Sequence, residues 1–168
     1  MPHQRKIIIG VMGPGDQATA TDLQNAYQLG QLIAQHGWVL LTGGRNVGVM
    51  EAANQGAKAA DGLTIGILPG NDTRGMSTSV DIAIVTDMGN ARNNINVLSC
   101  DVVIACGMGA GTASEIALAI KSNKPVILLN DKTNDFFQKL APKTVYIARD
   151  INDASDRIQS IIFNKISR

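Results

Sequence analysis

Seven apolar runs recur along this chain, most of them separated by helical stretches, and that rhythm limits the fold more than any other feature. The runs are KIIIGVM (6–12), WVLLT (38–42), LTIGIL (63–68), IAIVT (82–86), DVVIAC (101–106), PVILLN (125–130) and TVYIA (144–148). They are continuous rather than alternating, which suits strands buried on both faces of a parallel sheet. Composition agrees. Hydrophobic residues make up 45% and aromatics only 4%, so the core has to be built from Ala, Val, Ile and Leu rather than from the aromatics of a β-sandwich. With 168 residues the chain reads as one domain, 1–168, able to bury a substantial core.

The stretches between the runs carry helix signals. The first helix is predicted from Thr21, with Gln24 three residues on completing a capping-box pattern. Leu23, Ala26, Tyr27, Gly30, Ile33 and Ala34 then share one face, and His36-Gly37 supplies a closing cation and glycine. Further helices are expected over 47–60, from near Asn90, from Thr112 to Ser122, and over 151–166. The alternation predicts an α/β fold: a doubly wound, mostly parallel Rossmann-like sheet flanked by helices. The longest irregular stretches are 69–79 and 130–143.

Several function classes are disfavoured at once. Fifteen Lys and Arg face fourteen Asp and Glu, with no basic stripe, so a nucleic-acid partner is not expected. The first apolar run is broken by glycine too early for a signal peptide, and no segment approaches the ~20 apolar residues that span a bilayer. A soluble, cytosolic protein without membrane attachment is the expectation. Cys100 and Cys106, the only cysteines, match neither zinc nor CxxC spacing and read as small buried hydrophobes. Neither His3 nor His36 has a companion at ligand spacing, so no protein-ligated metal site is expected.

Four glycine-bearing turns follow four of the runs: GPGD (13–16), GGRNVG (43–48), PGND (69–72) and GMGAGT (107–112). In a parallel sheet all four lie at the carboxyl edge, where open α/β sheets bind ligands. Two of them, 43–48 and 107–112, open helices whose unpaired N–H groups favour an anion. The candidate ligand residues are Gly13 and Gly15, then Gly43, Gly44, Arg45 and Gly48, then Gly107, Met108, Gly109, Ala110, Gly111 and Thr112. The GxGxGT run follows the fifth strand rather than the first, which argues against an ordinary NAD site. Arg45 and Arg92 each sit at a predicted helix start, where a cation opposes the dipole by ~0.3–1 kcal/mol. Either an anion faces them, or they are solvated and point away. Glu115 has two readings as well. Thr112-x-x-Glu115 is a capping-box pattern, and the same carboxylate could instead stand over the site.

Three stretches together carry a resemblance: TGGRNVGVMEAANQGAKAADGLTIGILPG (42–70), GNARNNINVLSCDVVIACG (89–107) and GMGAGTASEIALAIKSNKPVILL (107–129). Their order and spacing resemble the LONELY GUY-like superfamily of Rossmann-like proteins, whose best-known enzymes cleave cytokinin nucleoside 5′-monophosphates into base and ribose phosphate. IIIGVMGPG, HGWVLLTGG and the Gly-Met-Gly at 107–109 are similar to its molybdenum cofactor carrier branch. The enzymes' loop is Pro-Gly-Gly-x-Gly-Thr-x-x-Glu. Gly109, Gly111, Thr112 and Glu115 match it, while Gly107 replaces the proline and Met108 the first glycine of the pair. The enzymes' Arg-Lys appears here as Arg92-Asn93.

The resemblance implies a cytoplasmic protein that holds the intact molybdenum cofactor and passes it on without chemistry. Cofactor-synthesis proteins or molybdoenzymes would be its partners. The alternative it implies is a nucleoside-5′-monophosphate phosphoribohydrolase with Arg92 and Glu115 as its working pair. Met108 would be a soft, polarizable contact or a packing residue. The helix TASEIALAIKS is apolar nearly all round, so with RNNINVLS it is expected to pack in a homodimer or homotetramer. The loop 69–79 is expected to order over a bound ligand.

Overall fold

A computed structural model describes residues 5–130 and 136–166. Seven strands form: β1 Ile8–Met12, β2 Val39–Thr42, β3 Thr64–Leu68, β4 Ile82–Val85, β5 Val102–Cys106, β6 Val126–Leu129 and β7 Val145–Ala148. Each lies inside one of the seven apolar runs. Six helices accompany them: α1 Ala20–Gln35, α2 Gly48–Ala59, α3 Asn93–Ser99, α4 Ala110–Lys121, α5 Phe136–Leu140 and α6 Ile151–Ile166. A 3₁₀ turn, Gly89–Arg92, leads into α3. Helix α5 falls within the stretch read as irregular over 130–143; residues 131–135 of that stretch lie outside the described residues.

The sheet is parallel throughout, in the order β4-β3-β2-β1-β5-β6-β7. The chain winds outward from β1 to β4, then returns to β1's other side with β5 and winds out again. Strand order therefore reverses between β1 and β5, where Ile9 pairs with Val102 and Met12 with Ala105. A crevice opens at such a reversal because the flanking crossovers leave on opposite faces of the sheet.

Both faces are covered. Ile9, Val11, Ile104 and Ile127 pack under α1, α2 and α6, against Leu29, Val49 and Ile158. Met12, Leu41, Val103 and Leu128 point the other way, toward Val97 of α3, Ile116 of α4 and Phe137 of α5. On the first face α1 and α2 touch backbone to backbone. A Cβ on Gly30 would come within 2.1 Å of the Ala53 carbonyl oxygen, and one on Gly56 within 1.9 Å of that of Tyr27. Only glycine admits this approach. Edge strand β4 is exposed along its whole length.

Two helix starts differ from the sequence reading. Helix α1 is capped by Thr19, not Thr21: Thr19 Oγ1 accepts from the Asp22 N–H, and the Asp22 carboxylate accepts from the Thr19 N–H. A shorter acidic partner closes the box two residues earlier than Gln24 would. Helix α4 starts at Ala110 with Gly109 as its cap, so Thr112 is already in the third helical position. The capping box read at Thr112 and Glu115 does not form, and both side chains face inward instead.

Candidate functional site

The reversal between β1 and β5 holds a cleft of about 360 Å³. Three turns at the carboxyl edge and the chain entering α3 build its walls. The turn after β1 contributes Gly13, Pro14, Gly15, Asp16 and Gln17, and the turn after β2 contributes Gly43 and Arg45, with Met50 from α2. Asn90, Arg92 and Asn93 close one side, and Gly109 to Thr112 with Glu115 close another. Ten of the fourteen residues singled out from the sequence thus converge: Gly13, Gly15, Gly43, Arg45, Arg92, Gly109, Ala110, Gly111, Thr112 and Glu115.

Gly44, Gly48, Gly107 and Met108 do not line it. Gly48 has φ +56°, and a Cβ there would lie 2.2 Å from the Gly15 carbonyl oxygen. It lets the first two turns lock together, with the Val49 N–H donating to Pro14 O at 3.0 Å. The Gly44 carbonyl accepts from Ser77 and its N–H donates to Thr42 Oγ1. Gly107 and Met108 border a separate cleft of about 150 Å³, with Asp22, Asn25 and Leu129, on the α1 side of the loop. The PGND turn is also absent from the main cleft. Its loop reaches back as a brace, with Arg45 and Met76 forming an antiparallel bridge and the Asn46 N–H donating to Gly75 O.

The floor of the cleft is the N-terminus of α4. Gly109 offers no side-chain cap, so first-turn N–H groups without intrahelical partners open toward the cavity. A Cβ added to Gly109 would meet only Pro14, at 3.6 Å, and one on Gly111 would meet nothing within 4 Å. Their bareness leaves room for a ligand rather than relieving a clash.

Arg92 is held over this floor. Its Nε donates to Ile67 O at 3.0 Å, and its Nη1 donates to Asn93 Oδ1. Its Nη2 lies above Gly43, where a Cβ would come within 2.8 Å of it. Burial lowers the guanidinium's pKa and nearby Arg45 adds to this, while Glu115 works in the opposite direction. The group keeps its charge regardless, because its ordinary value lies so far above neutrality. Asn93, where the hydrolases carry lysine, is tied twice: its Oδ1 accepts from Arg92 and its Nδ2 donates to Ser114 Oγ at 3.0 Å.

Glu115 is 6% exposed. Asn96 Nδ2 donates to its Oε1 at 2.8 Å. Burial pushes its pKa up to about 7, against the opposing pull of Asn96 and Arg92. Asn96 Oδ1 and Thr112 Oγ1 are buried without hydrogen-bond partners among the described residues. Asp16 and Asn93 were not singled out as ligand residues although each adjoins one that was, and Gln17 and Asn90 lie two residues from one. Met50 had no local signal, since it reaches the cleft only because α2 docks there.

Known proteins carry the same fold and related sequences. The structure of the molybdenum cofactor binding protein from Rippkaea orientalis superimposes with a TM-score of 0.92 at 67% identity, covering 95% of this chain and 99% of that one. The molybdenum cofactor carrier protein from Chlamydomonas reinhardtii gives 0.89 at 50% identity, with 94% and 99% covered. A cytokinin riboside 5′-monophosphate phosphoribohydrolase of Mycobacterium tuberculosis is 34% identical over 96 residues, covering 56% of this chain and about half, 51%, of that enzyme. The pattern of the SLOG cluster4 family matches residues 6–155. The chain belongs to the SLOG cluster4 family.

Proposed function

We propose that this protein binds, stores and hands on the molybdenum cofactor, and performs no chemistry on it. The observation that carries this reading is the composition of the cleft. Free N–H groups at the start of α4 face two guanidinium groups, Arg45 and Arg92, across a cavity of about 360 Å³, a size suited to one small molecule. The cofactor is a pterin that carries a phosphate and a dithiolene holding oxidised molybdenum. Both anionic groups suit N–H groups and arginines. The identity to cofactor-binding and carrier proteins, 50–67% along nearly the whole chain, supports the same reading. The test is the ligand that copurifies with freshly prepared protein. A fluorescent oxidised pterin with molybdenum in proportion to protein is expected; a nucleotide in its place would overturn the reading.

A second reading, a phosphoribohydrolase, is favoured by one observation: Arg92 and Glu115 line the same cleft, and Glu115 has a pKa raised to about 7, near that of a general acid or base. Against it, no ion pair within 4 Å joins Glu115 to a cation among the described residues, and Asn93 stands where the enzymes have lysine. Incubation with a cytokinin riboside 5′-monophosphate is expected to release no base. Release at ordinary enzyme rates, ~1–10³ per second, would establish the enzyme.

The carrier works, on this reading, as a homodimer or homotetramer in the cytoplasm, receiving cofactor from synthesis proteins and delivering it to molybdoenzymes. Leu98 of α3 is 49% exposed, Ala117 of α4 is exposed, and the apolar residues of β4 are uncovered, which supports burial against another copy. The two unpaired cysteines suit a reducing compartment. Light scattering at micromolar protein is expected to give a multiple of the chain mass, and a monomer mass would exclude the assembly.

A further inference from the structure

The cleft that suits an anion also contains a buried carboxyl group, and those two features conflict. Glu115 faces the same cavity as Arg45, Arg92 and the α4 N–H groups. Ionised, it would repel the ligand at close range in a region screened from water. It also lacks the usual remedy for a buried charge. Arg92 directs its Nε to a backbone carbonyl and its Nη1 to Asn93, so no guanidinium neutralises the carboxylate directly. Among the described residues, the one group donating to it is the neutral amide of Asn96.

The surroundings fit an acid better than a carboxylate. Asn96 Oδ1 is a buried acceptor with no partner among the described residues, on the same amide that donates to Glu115, and a proton on Glu115 would bring a donor next to it. A buried acceptor left unpaired costs free energy, so a proton that satisfies it is favoured. The ligand's own oxygens are a second acceptor.

We propose that Glu115 meets the anionic ligand as a neutral carboxylic acid, so that binding takes up one proton and the charge state of this residue sets the cleft's preference for anions. The inference rests on the reading of the cleft as the cofactor site. The charged groups that line the cleft with Glu115 are Arg92 at the start of α3, which acts on it directly, Arg45 on the turn after β2 and Asp16 on the turn after β1; the buried Cys100 thiol is close enough to feel its charge. An anion added to this set disfavours the carboxylate further, which is the physical source of the coupling. The carrier then grips its cargo more firmly in acid than in base. Since its ordinary state is protonated when loaded, Glu115 supplies a hydrogen-bond donor rather than a base.

The experiment uses the whole chain and sulfate, which stays a dianion across the range studied, at fixed ionic strength. Calorimetry in buffers of different ionisation enthalpy, from about pH 6 to about pH 8.5, counts the protons taken up. The wild type is expected to take up close to one proton per sulfate above neutrality, and to bind up to about tenfold more weakly per pH unit there. Glu115→Gln is expected to take up none, to show no slope, and to bind at the alkaline end as the wild type does at the acid end. A wild type without proton uptake overturns the proposal, and so does a Glu115→Gln protein with the slope and uptake unchanged. Retention of the pterin cofactor on desalting, at the acid and alkaline ends, separates the two readings. Cofactor held equally at both ends by the wild type overturns the proton linkage and leaves the carrier standing. Cofactor held at neither, with sulfate uptake as expected, overturns the carrier function and leaves the linkage standing.

Discussion

Gly109 and Gly48 stand near each other in space and serve opposite ends. Gly109 has φ −156°, open to any residue, and a Cβ there would rest against Pro14 at an ordinary contact distance. Its bareness leaves the α4 amides accessible. Gly109→Val is therefore expected to fold, at a cost of ~1 kcal/mol or less for the altered cap, and to lose cofactor. Gly48→Ala combines a positive φ with a Cβ 2.2 Å from Gly15 O and is expected to unfold at a lower temperature. Thermal denaturation and cofactor retention, measured on both proteins, check the contrast. Arg92→Ala removes a charge-assisted donor and is expected to weaken retention by ~1.5–3 kcal/mol. Unchanged retention in both Gly109→Val and Arg92→Ala would move the site elsewhere.

Among the elements, the α1–α2 pair bears the tightest constraint. Two glycines, one on each helix, bring the backbones together, and the first face of the sheet is roofed by that contact. Gly30→Ala puts a methyl group 2.1 Å from Ala53 O, where only helix displacement can relieve it. Its expected cost is ~1–3 kcal/mol, the range for overpacking. Thr19→Ala removes the cap of the same helix without touching the packing, and is expected to cost ~1 kcal/mol. Urea denaturation of each measures the two contributions separately. A Gly30→Ala protein as stable as the wild type would mean that the helices slide freely. Helix α4 teaches a related point. Its start at Ala110 turns Thr112 and Glu115 inward, so residues that could have capped a helix end became walls of a cleft.

The molecule as a whole is tied together by one buried carboxylate. Asp101, just before β5, accepts from Arg5 Nη2 at 2.6 Å, Lys165 Nζ at 2.7 Å and the Ile8 N–H at 3.0 Å. It thereby joins the start of β1 to the last turn of α6. Burial alone would raise its pKa, but these donors outweigh that and hold it below the usual carboxylate value. A depressed pKa stabilises the fold above the ordinary carboxylate range, and the benefit disappears as pH falls through the folded value. Asp101→Asn is expected to cost ~1–3 kcal/mol near neutrality and to flatten the loss of stability in acid. Denaturation midpoints across the acid range check this; equal acid sensitivity in both proteins would assign the effect to another group.

Local pattern was enough to locate the seven strands, because continuous apolar runs of four to five residues suit the strands of a sheet covered on both faces; it did not tell that β4, at the edge, is left exposed. It was enough for the carboxyl-edge location of the glycine turns, since parallel strands put all their exits on one side. It also carried Arg45, Arg92 and Glu115 to the site, because charge at a helix start is conspicuous. The choice between Thr19 and Thr21 was not settled by spacing: both precede a polar residue at the capping distance, and it is Thr19 whose box closes, with Asp22. Nor was the orientation of Glu115, which depends on Asn96, nineteen residues away. Arg92 depends on a carbonyl twenty-five residues away. Met50, Asn90 and Asn93 joined the cleft, and Met108 left it, for the same reason. Burial and periodicity are properties of neighbours along the chain and can be read there. Which side chains share a cavity depends on how packed helices set the turns, and only the closed tertiary structure decides that.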